Sequence, residues 1–226
     1  MKDLLLVCRF VPFGFIALYP VVSPISSGLI FVSLVSNADH ATKKMLSRKI
    51  AINSILFLVF VQLAGAYLLR LVGITLPIVQ VVGGLVLGAM GWTLLNKPDS
   101  GASTATPVAA SLESLQGMSF YPLTFPLSVG PGCIAVALTL GAHASSPLLL
   151  DTALAQLGLL IATVLIGIAT YFGHAYADRI TARLSAAETA GFVRLLSFVL
   201  MCIGGEITWN GIEGLLKTIT ARSLGG

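Results

Sequence analysis

Two short stretches carry residue types suited to holding a polar solute inside an apolar medium. Tyr19 to Gly28 reads YPVVSPISSG, and Tyr121 to Gly132 reads YPLTFPLSVGPG. Each places prolines, serine and glycine within a long apolar run, where an ordinary helix would have none of them. A proline in a helix interior removes one backbone hydrogen bond and clashes with the preceding turn, at a cost of about 3 kcal/mol. Away from water, the freed carbonyls must find other partners. Ser23, Ser26, Ser27 and Ser128 can supply hydroxyls, and Pro24, Pro126 and Pro131 enforce the breaks. Gly28, Gly130 and Gly132 let a ligand or a second backbone approach closely. Half-helix N-termini pointing inward would carry partial positive charge, suited to a carboxylate. A simple kink accounts for one such break; two at matching places favour a shared binding site.

Glu206 is the one carboxylate expected near the middle of an apolar segment. Asn210 lies four residues on, and Cys202 and Glu213 share the same helical face. An acidic residue at the centre of a spanning helix costs about 2.5–3.5 kcal/mol on insertion scales and seldom faces lipid. Glu206 is therefore the candidate for proton coupling or for contact with a substrate amine, with Asn210 as a further solute contact. A structural hydrogen bond to a neighbouring helix is the alternative. Gln156, Thr163 and Thr170 recur every seven residues, a polar stripe that more often joins helices than binds substrate, and Asn53 and Gln62 read the same way. Gly84, Gly88 and Gly91 form a small-residue face for close helix packing.

Other chemistries find little support. The cysteines Cys8, Cys133 and Cys202 are far apart, show no metal-ligand spacing and read as inert thiols packed among helices. His40 and His143 fall in loops and His174 near the end of an apolar segment, so all three are expected to be solvated. No metal or cofactor is expected. There is no Walker A motif, no HExxH and no pair of membrane aspartates, and no histidine is expected mid-membrane to activate Ser23 or Ser128. The sequence thus argues against an enzyme.

These residues need elements to position them, and composition says which. Of 226 residues, 56% are hydrophobic and 10% charged, against about 25% charged in a soluble domain. Lipid is the expected solvent, and the thinly spread positive charges give no nucleic-acid surface. Six segments are apolar enough to span a bilayer, roughly 10–35, 50–69, 73–95, 118–141, 152–172 and 192–216, the first and fourth broken by Pro and Gly. Residues 37–49, 96–117 and 175–190 read as exposed connections. The loops after segments 1, 3 and 5, with Arg194, hold eight of the 13 Lys and Arg, and the other side holds five. That bias places those loops in the cytoplasm and both termini in the periplasm. Early Arg9 and the lack of a cleavage signal argue against a signal peptide. Trp92, Trp209 and Tyr171 sit near segment ends and read as interfacial anchors, although Trp209 could line a cavity.

The 96–117 linker divides one membrane domain into halves, 1–95 and 118–226, each with three segments and each opening on a broken one. A three-span unit followed by its copy must insert the copy upside down. The expected fold is all-α, with six transmembrane helices in two inverted three-helix repeats, an arrangement found among secondary transporters.

Four stretches carry a family resemblance: PVVSPISSGLIFVSL (20–34), GITLPIVQVVGGLVLGAMGW (73–92), YPLTFPLSVGPGCIA (121–135) and RLLSFVLMCIGGEITWNGI (194–212). Together they resemble the MarC family of six-span bacterial inner-membrane proteins, also called the neutral amino-acid transporter family. The most specific piece, FPLSVGPG at 125–132, is similar to that family's P-L-x-x-P-x-x-x-G-P-G signature. The resemblance covers nearly the whole chain and implies a secondary transporter of a small polar metabolite, such as a neutral amino acid, working by alternating access. A non-transporting adaptor or a channel component is the alternative. Two positions depart from the pattern. Ser23-Pro24 stands where many relatives have Asp-Pro, and Glu206 where relatives often carry glutamine. Oligomeric state is open, since the glycine face could serve a dimer as well as an intramolecular contact.

Overall fold

The computed structural model describes residues 2–35, 38–96, 117, 119–144, 148–179 and 186–224, and its regular structure there is entirely helical. The linker expected at 96–117 lies outside these residues except for its two ends, as do Lys97 and Arg183. Helix α1 covers Lys2–Val22 and α2 Pro24–Leu34, with Ser23 alone between them. Helices α3 (His40–Val72) and α4 (Leu76–Leu95) follow. A π-helical turn at Leu123–Ser128 leads to α5 (Pro131–His143), then α6 (Leu149–Ala175) and α7 (Ala186–Leu224).

Five stretches among the described residues are long and apolar enough to cross a membrane: Leu6–Val32, His40–Gly65, Leu76–Leu95, Leu149–Ala175 and Ala190–Thr220. The segment expected as a helix from 118 to 141 is the exception. Gly130 is extended (φ −91°, ψ −178°) and Pro131 opens α5 at its first position. The 13 residues of α5 then span only about 20 Å at 1.5 Å per residue, short of a hydrocarbon core of about 30 Å. A second difference concerns residues 37–49, expected as a loop. From His40 onwards they are the first turns of α3. Thr42, Leu46, Ser47 and Ile50 are buried along one side while His40, Lys44 and Arg48 face out, a helical period that packing against the bundle exploits.

Close contacts between glycine-bearing faces give the helix directions. Along α1 and α6, Gly158 lies against Val7 and Phe10, Gly14 against Leu159 and Ala162, and Gly173 against Pro24, so the pair runs parallel. Gln62–Thr163 and Lys43–Asp178 contacts set α3 antiparallel to α6. Gly84 meets Gly204, Gly91 meets Ser197 and Gly211 meets Pro77, which makes α4 and α7 antiparallel. Gly83 against Ala135 and Gln80 bonded to Thr139 set α5 antiparallel to α4.

Lipid tails are as apolar as leucine, so helices in a bilayer associate by close packing and interhelical hydrogen bonds. Both are present. A Cβ added to Gly204 would lie 2.6 Å from the Gly88 nitrogen and 2.7 Å from the Gly84 oxygen. Gln62 Nε2 donates to Thr163 Oγ1 at 2.8 Å, joining α3 to α6, and Gln80 Nε2 donates to Thr139 Oγ1 at 3.4 Å, joining α4 to α5. Gln156 Nε2 donates to the Gly141 carbonyl at 3.4 Å, so the stripe expected on α6 does join helices. The principal core lies among α1, α3, α5 and α6, around Leu18, Leu58, Val136 and Leu159. A second cluster of Phe31, Leu46, Ile50 and Leu123 seals α2 against α3 and the π turn.

Candidate functional site

Ser23 adopts φ 46° and ψ 63°, the left-handed region. Proline at 24 disfavours the helical conformation for the residue before it, and a non-glycine in the left-handed region costs about 1–2 kcal/mol. Local hydroxyls satisfy the break. Ser27 Oγ donates to the Ser23 carbonyl at 3.0 Å, and Ser23 Oγ donates to Ser26 Oγ at 3.2 Å. Backbone bonds bracket the kink, Ser23 N–H to Tyr19 O at 2.8 Å and Ser27 N–H to Ser23 O at 3.0 Å.

The second break is longer. Phe125 is non-helical within the π turn (φ −111°, ψ 124°), and Val129 and Gly130 are extended before Pro131 restarts the helix. Ser128, Val129, Gly130 and Gly132 are buried, whereas Pro126 and Pro131 are exposed. A Cβ on Gly132 would collide with Leu87 and lie 3.7 Å from Val21 Cγ1, which puts the start of α5 beside the residues just ahead of the first break. The sequence-predicted residues 23–28 and 126–132 therefore belong to one neighbourhood, with the end of α6 between them.

That end of α6 supplies a residue the sequence reading missed. His174, expected to be solvated, is 1% exposed. Its Nδ1 donates to the Thr170 carbonyl at 2.8 Å, and its Nε2 lies 3.3 Å from Ser128 Oγ. Its ring centroid is 5.2 Å from that of Phe31 on α2. Gly28 lets α2 close on this point, since a Cβ there would strike the Gly173 carbonyl. Thus α2, the π turn and α6 meet at His174. The expectation that no histidine reaches Ser128 is corrected. A signal was present: Thr163, Thr170 and His174 sit at helical spacings of seven and four, which continues the stripe that begins at Gln156. His40 and His143 are exposed, as expected.

Glu206 and Asn210 are elsewhere. Glu206 is exposed on α7, and its described partner is Asn210, whose Nδ2 donates to Glu206 Oε1 at 3.4 Å. Cys202 and Glu213 are exposed too, Glu213 paired with Lys217 at 2.6 Å. The structure does not bring this face to the helix breaks. Beside it, α4 and α7 enclose an open apolar groove of about 380 Å³ that Gly84, Gly88, Gly205, Thr208 and Trp209 help to line. All three glycines expected to pack closely contact α7, Gly88 through its backbone nitrogen against Gly204, although a Cβ on Gly88 itself would enter the groove rather than α7. Trp92 and Trp209 are both exposed, and Trp209 lines the groove, the alternative given for it from the sequence. Cys133 is buried, but Cys8 and Cys202 are exposed rather than packed. Among the described residues no cluster of His, Cys, Asp or Glu could hold a metal ion.

Similar proteins add the family. The MarC family of integral membrane proteins matches over residues 8–216. The chain is 26% identical over 216 residues to the UPF0056 membrane protein MJ0972 of Methanocaldococcus jannaschii, covering 96% of this chain and 92% of the relative. It is 27% identical over 218 residues to the UPF0056 membrane protein YvbG of Bacillus subtilis, covering 94% and 98%. It is 23% identical over 214 residues to the UPF0056 inner membrane protein MarC of Escherichia coli, covering 91% and 95%. No solved structure matches. With helices that can cross a bilayer and a match over nearly the whole chain, the protein belongs to the MarC family of integral membrane proteins.

Proposed function

We propose that the protein is a secondary transporter of a small polar metabolite, of the size and polarity of a neutral amino acid, with its binding site at the two helix breaks. The observation that carries this reading is the meeting of both breaks with a buried Ser–His contact in the interior of an apolar bundle. Irregular backbone at membrane depth persists where it is buried in protein or lines a wet cavity. The hydroxyls of Ser23, Ser26, Ser27 and Ser128 and the imidazole of His174 offer donors and acceptors without fixed charge, which suits a neutral or zwitterionic solute.

The helix directions support an inverted repeat. In the first half α1, α3 and α4 alternate, and α5, α6 and α7 alternate in the opposite sense. On this reading the π turn and α5 together make the fourth of six crossings, and α4–α7 and α3–α6 are pairs across the pseudo-twofold axis. Rocking one half against the other would open the breaks first to one side and then to the other. The excess of Lys and Arg at the start of α3 and around the connections after α4 and α6 favours a cytoplasmic side there and both termini outside, in an inner membrane such as that named for the E. coli relative. The α7 face that carries Glu206, Asn210 and Cys202 is exposed in a single copy and would be covered in a homo-oligomer, which would shield the carboxylate from lipid.

The test is counterflow in proteoliposomes preloaded with unlabelled neutral amino acids. Saturable entry of labelled solute, lost in Gly132→Leu while the protein stays monodisperse, supports the reading. Electrogenic flux that does not saturate would indicate a channel. No flux, with a partner retained through gentle detergent extraction, would indicate an adaptor.

A further inference from the structure

We propose that His174 and Ser128 form the proton-binding site of this protein; the assignment of that proton as the coupling ion rests on the transport reading above. The geometry allows a proton to be gained or lost while the ring nitrogens and the Ser128 hydroxyl keep their hydrogen-bond partners. The Thr170 carbonyl can only accept, so Nδ1 carries a hydrogen and Nε2 is the free lone pair of the neutral ring. Ser128 Oγ lies 3.3 Å from Nε2 and 3.1 Å from the Leu123 carbonyl. With the ring neutral, the Ser128 hydroxyl donates to Nε2. When a proton from water adds to that lone pair, the new Nε2–H donates to Ser128 Oγ, and the Ser128 hydrogen rotates to the Leu123 carbonyl. One N–H bond forms, one O–H bond of hydronium breaks and leaves water, no serine bond breaks, and the positive charge passes to the ring. Both ring nitrogens and the Ser128 hydroxyl keep a partner in both states, because the π turn leaves the Leu123 carbonyl within reach of the Ser128 side chain when its hydrogen turns away from the ring.

The added charge has a structural consequence. From α2 the ring faces Phe31, from the π turn Ser128, and from its own helix Thr170. None of these groups is charged. The charged pair named near this end of α6 is Lys43 with Asp178, at 3.0 Å, where Asp178 is committed to the lysine. Among the described residues no carboxylate bonds the ring, and an imidazolium there is costly unless water or an anionic group reaches it. Proton uptake at His174 therefore favours a state in which the π turn has moved and the break is hydrated. Cys133, buried three residues into α5, is a native reporter of that opening.

The experiment uses the full chain in lipid nanodiscs. Histidines are labelled with carbon-13 at Cε1, and His40→Gln with His143→Gln isolates the His174 resonance. Maleimide labelling of Cys133 is followed in a Cys8→Ser/Cys202→Ser background. The expectation is one reversible His174 titration, a rise in Cys133 labelling through the same midpoint, a shifted midpoint in Ser128→Ala, and loss of the pH dependence of labelling in His174→Gln. A His174 resonance that does not move in the folded protein, or that moves identically in Ser128→Ala, would overturn the proposal. Ser128→Ala keeps the histidine and removes one hydroxyl, so the test stands even if His174→Gln fails to fold. Counterflow separates the two readings. Titration without any solute movement removes transport and leaves the proton site, whereas counterflow unchanged by pH and by His174→Gln removes the coupling role of that proton and leaves transport.

Discussion

Gly173→Ala should loosen the junction that holds the site. Its added Cβ would lie 2.5 Å from the Pro24 oxygen and 2.9 Å from the Pro24 carbon, where ordinary contact starts at 3.4 Å. The shortfall is about 1 Å, and both obstacles are backbone, so no side-chain rotation relieves them. Overpacking of this kind costs about 1–3 kcal/mol, and a clash with backbone belongs at the upper end. Alanine in place of glycine returns about 1 kcal/mol of helix propensity. The net expectation is a loss of about 2 kcal/mol, together with faster labelling of Cys133. Gly88→Ala is the matched control: a Cβ there meets nothing within 4 Å, so only the propensity gain of up to about 1 kcal/mol remains. Reversible unfolding of both variants in mixed lipid–SDS micelles, followed by far-ultraviolet circular dichroism, measures the two values. Shifts of the same sign and size in the two variants would refute the packing argument.

Three further outcomes are expected. Gln62→Leu removes the 2.8 Å bond to Thr163 and should cost about 0.6–1.7 kcal/mol in the same unfolding assay, with solute counterflow retained. Asp39 precedes α3 and accepts from the Thr42 N–H at 3.2 Å, and the bonds from Thr42 hold its carboxyl below the usual value. A lowered pKa means that the cap is present above the ordinary carboxylate range and is lost as pH falls through the lowered value. Amide exchange at Thr42 should quicken only at strongly acid pH in the wild type, and should be fast and pH-insensitive, beyond intrinsic exchange, in Asp39→Ala. Glu206→Gln should leave solute counterflow and its pH dependence unchanged, since Glu206 faces outward on α7; a lost pH dependence would move the proton site from His174 to Glu206.

The breaks were legible in the sequence because proline and glycine act locally. Pro24 and Pro131 each open a new helix at its first position, although Pro12 and Pro20 lie inside α1 without ending it. The close α4–α7 approach was half legible. Gly84, Gly88 and Gly91 advertise a small-residue face, but nothing local says that the side of Gly88 a Cβ would occupy should border a groove. His174 was hidden for a different reason. It sits near the end of an apolar run, where a histidine usually reaches water, and its burial depends on Phe31, far away in the chain, closing over it. Residues 40–49 were misread because their charges suggested a loop, whereas one side of that helix is covered by other elements. The outward placement of Glu206 likewise follows from which side of α7 meets α4, which no single helix can reveal.

The central claim is that a small polar solute binds where the two breaks meet, and a thermal-shift screen of the purified protein tests it most directly. A panel of neutral amino acids and other small polar metabolites would be run at pH 6 and pH 8, with wild type beside Ser128→Ala. A ligand at 100 times its dissociation constant stabilises the fold by about 2.7 kcal/mol, well within reach of the assay. The account predicts that at least one small zwitterion raises the unfolding temperature of the wild type, and that the rise shrinks in Ser128→Ala and differs between the two pH values. A ligand that stabilises both proteins equally at both pH values would place its binding site away from the breaks and contradict the account.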